Sequence, residues 1–118
     1  MGSGIIAVVD DNVVGLRAMT FLLETAGYNA VAYASAALFL ADTAAQTSVL
    51  IVDQNMPDMT GLQLVALLRE RVPHIPVLLT CGFLADNVIA RASELRIEKV
   101  LEKPVEPEEL LALVASYV

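Results

Sequence analysis

The sequence contains little of several residue types that mark particular protein classes. It has one cysteine, one histidine and no tryptophan, and aromatic residues make up only 5% of its 118 residues. The single Cys81 excludes a disulfide within the chain and fits a reducing compartment such as the cytoplasm. His74 lies between two prolines in an expected turn, so we interpret it as a surface residue, neither a metal ligand nor a phosphodonor.

Positive charge and long apolar runs are also scarce. Seven basic residues stand against 14 acidic ones, the net charge is −7, and no basic cluster is present, so nucleic acid is not expected as a direct partner. No apolar run approaches the roughly 18 residues that a membrane-spanning helix needs, and Ile5–Val9 is too short for a signal sequence. We interpret residues 1–4 as a cloning remnant and residues 5–118 as one domain.

The rest of the sequence alternates apolar segments with amphipathic ones. Hydrophobic residues make up 57% of the chain and are mainly Ala, Val, Leu and Ile, which favours helices packed on a parallel sheet. Strands are predicted over residues 5–9, 29–33, 49–52, 77–79 and 98–101. Helices are predicted over residues 13–26, from the N-cap Ser35 to about Gln46, over 62–72, from the cap Asp86 to about Leu95, and over 107–117. This β–α order predicts a doubly wound five-stranded α/β fold.

Polar residues of types that bind metal ions or take part in catalysis follow four of these strands. Asp10 and Asp11 follow the first, Asp53 the third, Thr80 the fourth and Lys103 the fifth. Because the carboxyl ends of parallel strands share one edge of the sheet, these side chains are expected to form one pocket. Two carboxylates ~4 Å apart repel by roughly 4 kcal/mol at an effective dielectric near 20, so three need compensation. One divalent cation and one lysine would supply it, and oxygen ligands favour Mg²⁺, or Mn²⁺ as a substitute, over Zn²⁺.

Such a pocket suits the acceptance of a phosphoryl group. An aspartate can act as a nucleophile and form an acyl phosphate, while a metal ion and a lysine neutralise charge on the transferring oxygens. Simpler interpretations stay open for each residue taken alone. Asp53 could order its loop, Asp11 or Asn12 could cap the first helix, Thr80 could cap a turn, and Lys103 could be solvated.

Four motifs together resemble the receiver domain of bacterial two-component response regulators. They are Val-Asp-Asp-Asn at residues 9–12, Asp-Gln-Asn-Met-Pro at 53–57 with Gly61, Thr80, and Lys103-Pro104. The resemblance covers residues 5–118. It implies a flavodoxin-like sheet of strand order 2-1-3-4-5. It also implies a cytoplasmic signalling domain rather than an enzyme, although one that supports its own Mg²⁺-dependent phosphotransfer and autodephosphorylation.

The resemblance also implies a role for each acidic residue of the pocket. Asp53 would accept a phosphoryl group from the phosphohistidine of a histidine kinase or of a histidine phosphotransfer domain. Asp11 and Asp53 would bind Mg²⁺ directly, Asp10 would bind it chiefly through water, and Asn55 would contribute its backbone carbonyl.

The remaining implied roles concern the phosphoryl group and the partners. Thr80 would donate a hydrogen bond to one phosphoryl oxygen, Lys103 would pair with another, and the Lys103–Pro104 peptide bond would be cis. Because the donor histidine must reach Asp53, we predict that the kinase docks on the first helix, through Leu16, Arg17 and Met19. The resemblance also allows an effector domain in the full-length protein, either DNA-binding or enzymatic, and a phosphorylation-dependent dimer.

The chain departs from the receiver pattern on strands four and five and nearby. Val100 replaces the usual switching aromatic, and valine has one stiff χ1 and no ring to turn. Cys81 replaces a smaller residue, and we interpret it as a packed side chain that narrows access to the site. Arg96-Ile97 replaces Gly-Ala, which removes the easy left-handed helix ending, and Val105 stands where Phe is common. We therefore predict a competent phosphoacceptor with an unconventional output change.

Three rival interpretations fit the sequence less well. A phosphate-independent pseudo-receiver would lack an acid or the lysine, and none is missing. A phosphatase of the haloacid dehalogenase type would need Asp-x-Asp after the first strand, where this chain has Asp10-Asp11-Asn12. A flavodoxin would share the fold, but the loop after the first strand lacks the Ser/Thr/Gly run that binds phosphate.

Overall fold

The computed structural model describes residues 4–42 and 47–118. Strands and helices alternate through these residues in the order that the sequence predicts. The elements are β1 (Ile5–Val9), α1 (Val13–Thr25), β2 (Asn29–Tyr33), α2 (Ala36–Ala41), β3 (Thr47–Asp53), α3 (Gly61–Arg71), β4 (Val77–Cys81), α4 (Asp86–Glu94), β5 (Lys99–Glu102) and α5 (Pro107–Tyr117). Of the predicted regions, residues 1–3 of the expected cloning remnant and residues 43–46 at the end of the second helix lie outside the described residues.

The five strands form one parallel sheet in the order β2-β1-β3-β4-β5, which confirms the predicted topology. β1, β3 and β4 lie inside the sheet and are almost entirely buried. This explains why their sequences are continuous apolar runs without a polar face. The edge strands β2 and β5 expose several of their residues to solvent.

Each face of the sheet is covered by helices. Successive strand residues point to opposite faces, so Leu50 and Val52 pack with α2 and α3, whereas Val49 and Ile51 pack with α1 and α5. Phe39 of α2 and the leucines of α3 fill the first layer, and the leucines of α1 and α5 fill the second. Within the described residues, no helix is long and apolar enough to cross a membrane.

The helix starts follow the capping signals of the sequence, with one exception. Ser35 caps α2 through a hydrogen bond from the Leu38 amide, as predicted, and Pro107 occupies the first turn of α5. The prediction that Asp86 caps α4 is wrong, because Ala85 holds the N-cap position and makes no side-chain hydrogen bond. Asp86 is instead the first helical residue, where a carboxylate interacts favourably with the positive end of the helix dipole.

The turn between α4 and β5 keeps a left-handed residue despite the absence of glycine. Arg96 has a φ of 58°, so an arginine provides the left-handed ending that a glycine would adopt more easily. The Arg69 guanidinium of α3 donates to the carbonyl oxygens of Leu95 at 2.8 Å and Arg96 at 3.0 Å, and it also bonds the Ile75 carbonyl at 2.6 Å. We infer that these bonds hold the turn in a conformation that an arginine rarely adopts.

Candidate functional site

The carboxyl ends of the inner strands bring the predicted site residues together. Asp53 is the last residue of β3, and Thr80 lies directly beside it on β4. Asp10 follows β1, and its amide donates to the Tyr33 carbonyl at 3.1 Å, which continues the pairing of β1 with β2. Lys103 follows β5, and its amide donates to the Cys81 carbonyl at 2.7 Å. Backbone pairing therefore fixes the positions of all four residues.

Three carboxylates form the acidic part of the site. One carboxylate oxygen from each of Asp10, Asp11 and Asp53 lies within 4.8 Å of the others. Asp53 is only 4% exposed and Asp10 is nearly buried, whereas Asp11 is open to solvent. Burial raises the pKa of Asp10, and the nearby Asp53 charge adds to this rise, although the Asn12 amide that donates to Asp10 opposes it. The arrangement is consistent with a receiver metal site.

Lys103 provides the opposing charge. Its Nζ lies 2.9 Å from Asp53 Oδ1 and 3.9 Å from Asp10 Oδ2. Burial acts to lower the pKa of Lys103, but the hydrogen bond and the charge of Asp53 outweigh it, so the net effect raises this pKa. The ammonium group therefore stays charged beside Asp53, and the interpretation of Lys103 as a merely solvated residue is wrong.

Thr80 and Cys81 border the site on β4. The Thr80 hydroxyl donates to Asp53 Oδ1 at 3.3 Å, which is long for a bond between two oxygens. Cys81 is 1% exposed, which confirms that its side chain is packed. Burial raises the pKa of the thiol, so it stays protonated and unreactive.

The β3–α3 loop closes the site on another side. Asn55 is exposed and its side-chain amide lies close to Gly82, since a Cβ on Gly82 would be 3.8 Å from Asn55 Nδ2. Gly61 approaches the strand so closely that a Cβ there would lie 2.7 Å from the Asp53 carbonyl oxygen. The sequence motif included Gly61 but gave no reason for it. The reason is this contact between the start of α3 and the backbone of Asp53.

A side-chain contact of Gln54 was missed by sequence reasoning. Gln54 Oε1 accepts a hydrogen bond from the Leu62 amide at 2.9 Å. The signal in the sequence was an amide residue directly after a buried strand and seven residues before the start of α3. Asn12, in contrast, caps α1 through a bond from the Gly15 amide, so the simpler interpretation is correct for that residue.

An apolar groove adjoins the site between α1 and α5. The cavity has a volume of about 660 Å³ and its walls include Val14, Met19, Val105 and Leu110. Asp10, Thr80 and Lys103 also line the groove, so it reaches the acidic site. The adjacent Lys103–Pro104 peptide bond is cis, as expected.

The predicted docking residues of α1 divide into exposed and buried ones. Arg17 is exposed and Met19 is partly exposed, but Leu16 is buried in the core between the sheet and α5. Naming Leu16 as a docking residue was therefore wrong, because that position faces the sheet. The exposed large apolar residues of α1 are instead Val13, Val14 and Phe21, which are 51%, 79% and 69% exposed.

The other departures lie around α4 and β5. Val100 is partly buried and lines a second cavity of about 320 Å³ between α4 and β5, together with Leu84, Ile89 and Ile97. Phe83, in the loop between β4 and α4, is largely exposed. His74 is exposed in the turn between α3 and β4, as predicted.

The net charge of the site favours a divalent cation. Three carboxylates face one ammonium group, which leaves an excess of about two negative charges when all are ionised. One divalent cation balances this excess, and the donors are hard oxygens, as Mg²⁺ prefers. The side chains within reach thus provide a carboxylate nucleophile, a cation site, a lysine and a hydroxyl, which is the set that phosphoryl transfer to an aspartate requires.

Comparisons with known proteins give one consistent family. The family model of the response regulator receiver domain matches residues 6–115. The chain is 36% identical over 118 residues to the response regulator protein FleR of Pseudomonas aeruginosa, and 30% identical over 110 residues to the transcriptional regulatory protein FixJ of Azorhizobium caulinodans. These alignments cover 99% and 92% of this chain but only 25% of FleR and 52% of FixJ.

Solved structures show the same similarity. The chain superimposes on the chemotaxis protein CheY4 of Vibrio cholerae with a TM-score of 0.90 and 27% sequence identity, and the match covers 98% of each chain. A response regulator receiver protein from Pseudomonas putida also gives a TM-score of 0.90, with 25% identity.

Proposed function

Because this chain belongs to the response regulator receiver family, we propose that it works as a phosphorylated switch with Asp53 as its phosphoacceptor. The receiver domain is a signalling module of two-component systems rather than a classical enzyme, and this implies a histidine kinase as partner. The observation that carries the assignment of Asp53 is its position. It is the buried carboxylate of the acidic cluster and the one that both Lys103 and Thr80 contact.

In the proposed reaction an Asp53 carboxylate oxygen attacks the phosphorus of a phosphohistidine. The new O–P bond forms as the N–P bond breaks, and the electron pair of that bond stays on the imidazole nitrogen of the donor. Lys103 Nζ, now 2.9 Å from Asp53 Oδ1, would pair with an oxygen of the incoming group. The Thr80 hydroxyl would replace its long bond to Asp53 with a bond to another phosphoryl oxygen.

We propose that Asp10, Asp11 and Asp53, with the backbone carbonyl of Asn55, hold Mg²⁺, for which Mn²⁺ can substitute. When bound, this ion neutralises charge on the transferring oxygens. The clustering of three carboxylates within 4.8 Å supports the site, because such a cluster is unfavourable without a cation. Lys103 alone compensates only part of that charge.

We further propose that the kinase, or a histidine phosphotransfer domain, docks along α1 and the groove between α1 and α5. The groove is mainly apolar and its lining includes Lys103 and Thr80, both of which contact Asp53, so a helix lying in it would bring its histidine close to Asp53. Val14, Arg17 and Phe21 are exposed on α1 and available for this contact.

Phe21→Ala is therefore expected to slow phosphotransfer from the phosphorylated donor without changing phosphorylation by a small-molecule donor. Phe83→Ala is the matched control, because Phe83 is similarly exposed but belongs to the β4–α4 loop. Equal transfer rates for Phe21→Ala and the wild type would argue against docking on α1.

The output of the switch is proposed to differ from that of receivers with an aromatic residue on β5. Val100 lines an open cavity and has no ring that could turn inward. The chain spans a quarter of FleR and about half of FixJ, and we propose that an effector domain accompanies it in the full-length protein. Receiver domains are typically cytoplasmic, and we propose the same compartment here.

The assignment of Asp53 is tested with a phosphorylated histidine donor and two matched variants. Asp53→Asn is expected to abolish transfer, because an amide oxygen is a poor nucleophile. Asp58→Asn removes a carboxylate from the same loop at an exposed position and is expected to leave transfer intact. Transfer that persists in Asp53→Asn would refute the assignment.

A further inference from the structure

Gln54 joins both ends of the loop that follows Asp53. Its backbone carbonyl accepts hydrogen bonds from the Met56 and Gly61 amides, each at 3.2 Å, and its own amide donates to the Thr80 carbonyl at 2.8 Å. Its side-chain Oε1 accepts from the Leu62 amide at 2.9 Å. One residue thus connects β3 to β4 on one side and to the start of α3 on the other.

These bonds complete the start of α3. A helix leaves its first four amides without partners inside the helix. Here Gly61 and Leu62 donate to Gln54, Gln63 donates to the Thr60 hydroxyl, and the amide of the N-cap Thr60 donates to the Gln63 side chain. Thr60 and Gln63 also form a capping box of their own, since the Gln63 side chain accepts from the Thr60 amide. The helix therefore has a local cap in addition to Gln54.

The Gln54 side chain links α3 to the end of β3, whereas the capping box of Thr60 and Gln63 acts only within the helix start. Its bond to Leu62 spans eight residues, so it fixes the separation between the end of β3 and the start of α3. Gly61 packs directly against the Asp53 carbonyl at the base of the same loop. Loss of the side-chain bond would leave the Leu62 amide without its partner, so that the loop would be held to α3 by the Gly61–Gln54 backbone bond and no longer by both bonds.

Gln54 lies between the two residues whose positions matter most to the proposed chemistry, Asp53 and Asn55. We propose that Gln54 is a positioning residue, which holds the Asn55 carbonyl and the Asp53 carboxylate at the spacing that a divalent cation requires. This inference rests on the proposed function. Residues that orient metal ligands without touching the metal typically change metal affinity by about 10–100-fold when removed.

The test measures Mn²⁺ affinity by calorimetry, together with the free energy of unfolding, in four forms of this chain. Gln54→Leu removes the acceptor oxygen and keeps a side chain of similar size. Gln54→Glu keeps an acceptor at the same reach. The matched control is Gln63→Leu, which removes a side-chain hydrogen bond from the start of the same helix without touching the closure at Gln54.

We expect Gln54→Leu to bind Mn²⁺ about 10-fold more weakly than the wild type. Gln63→Leu should lower stability but keep Mn²⁺ affinity within about twofold, and Gln54→Glu should bind at least as tightly as the wild type. Amide exchange should show faster exchange at Leu62 in Gln54→Leu only. If Gln54→Leu does not fold, Gln54→Asn, which is one methylene too short to reach Leu62, takes its place with the same expected result.

Two contrary outcomes are distinguishable. Unchanged Mn²⁺ affinity in a folded Gln54→Leu would reduce Gln54 to a structural cap and overturn this inference, while the proposed function would stand. A wild-type chain that binds no Mn²⁺ would overturn both.

Discussion

Replacing Gly61 with alanine tests the closest backbone contact of the site. The added Cβ would lie 2.7 Å from the Asp53 carbonyl oxygen, 2.7 Å from Leu79 Cδ1 and 3.1 Å from the Asp53 carbonyl carbon. Favourable separations between carbon atoms are about 3.5–4.0 Å, and both neighbours are buried. Either the end of β3 or the start of α3 must therefore move.

The size of the effect follows from two opposing contributions. Overpacking of a well-packed region typically costs about 1–3 kcal/mol. Replacing glycine with alanine restricts the unfolded chain and returns roughly 0.4–1 kcal/mol. From the middle of each range, we expect Gly61→Ala to lower the free energy of unfolding by about 1.3 kcal/mol. Because the shift displaces Asp53, phosphorylation should also slow.

The assay is urea unfolding followed by far-UV circular dichroism, since the chain has no tryptophan to report by fluorescence. Gly82→Ala is the matched control at the edge of the same site. Its Cβ would meet only Asn55 Nδ2, at an ordinary 3.8 Å, so its stability should stay near that of the wild type. If Gly61→Ala proves as stable as the wild type or more stable, the contact with Asp53 does not constrain the fold and the reasoning fails.

Three further predictions concern other parts of the molecule. Arg96→Gly should raise the free energy of unfolding by about 0.5–1 kcal/mol in urea titrations, because glycine adopts a φ of 58° without strain; a loss of stability would contradict the inferred strain. Burial and the bond to Asp42 raise the pKa of Tyr33 to about 12. The stability that Tyr33 contributes is therefore fully present below pH ~10 and lost as the pH rises through ~12. The difference in free energy of unfolding between the wild type and Tyr33→Phe should shrink over that range. A difference independent of pH would refute the raised pKa of Tyr33. Lys103→Met should bind Mn²⁺ several-fold more tightly in calorimetry, because Lys103 Nζ no longer competes with the cation for Asp53. The same variant should accept a phosphoryl group more slowly. Weaker Mn²⁺ binding would contradict the pairing of Lys103 with Asp53.

The fold could be predicted largely because the inner strands carry an unambiguous signal. β1, β3 and β4 are buried on both faces, so their sequences are apolar throughout, and the polar residue after each run marks the edge where the site lies. Asp10, Asp53 and Thr80 meet for that reason. Their positions depend on backbone pairing, which the order of elements fixes.

The features that the sequence did not predict depend on which face of a helix is turned toward the sheet, or on contacts between residues distant in sequence. Leu16 faces the sheet, and hydrophobic spacing alone placed it on α1 without showing which face meets a partner. The turn at Arg96 is closed by the Ile97 amide, which donates to the Ala92 carbonyl, and the Arg96 carbonyl also accepts a bond from Arg69, 27 residues earlier. Gln54 bonds across eight residues to an amide of α3. Neither contact produces a local pattern.

The central claim is that Asp53 accepts a phosphoryl group in a reaction that needs a divalent cation. The most direct measurement is the intact mass of the chain after incubation with a small-molecule acyl phosphate donor, with Mg²⁺ or with a chelator, beside Asp53→Ala. We predict the addition of one phosphoryl group to the wild type in Mg²⁺, and none with the chelator or in Asp53→Ala. An unmodified wild type, tested also with a phosphorylated histidine donor, would contradict the account and favour a phosphate-independent interaction module.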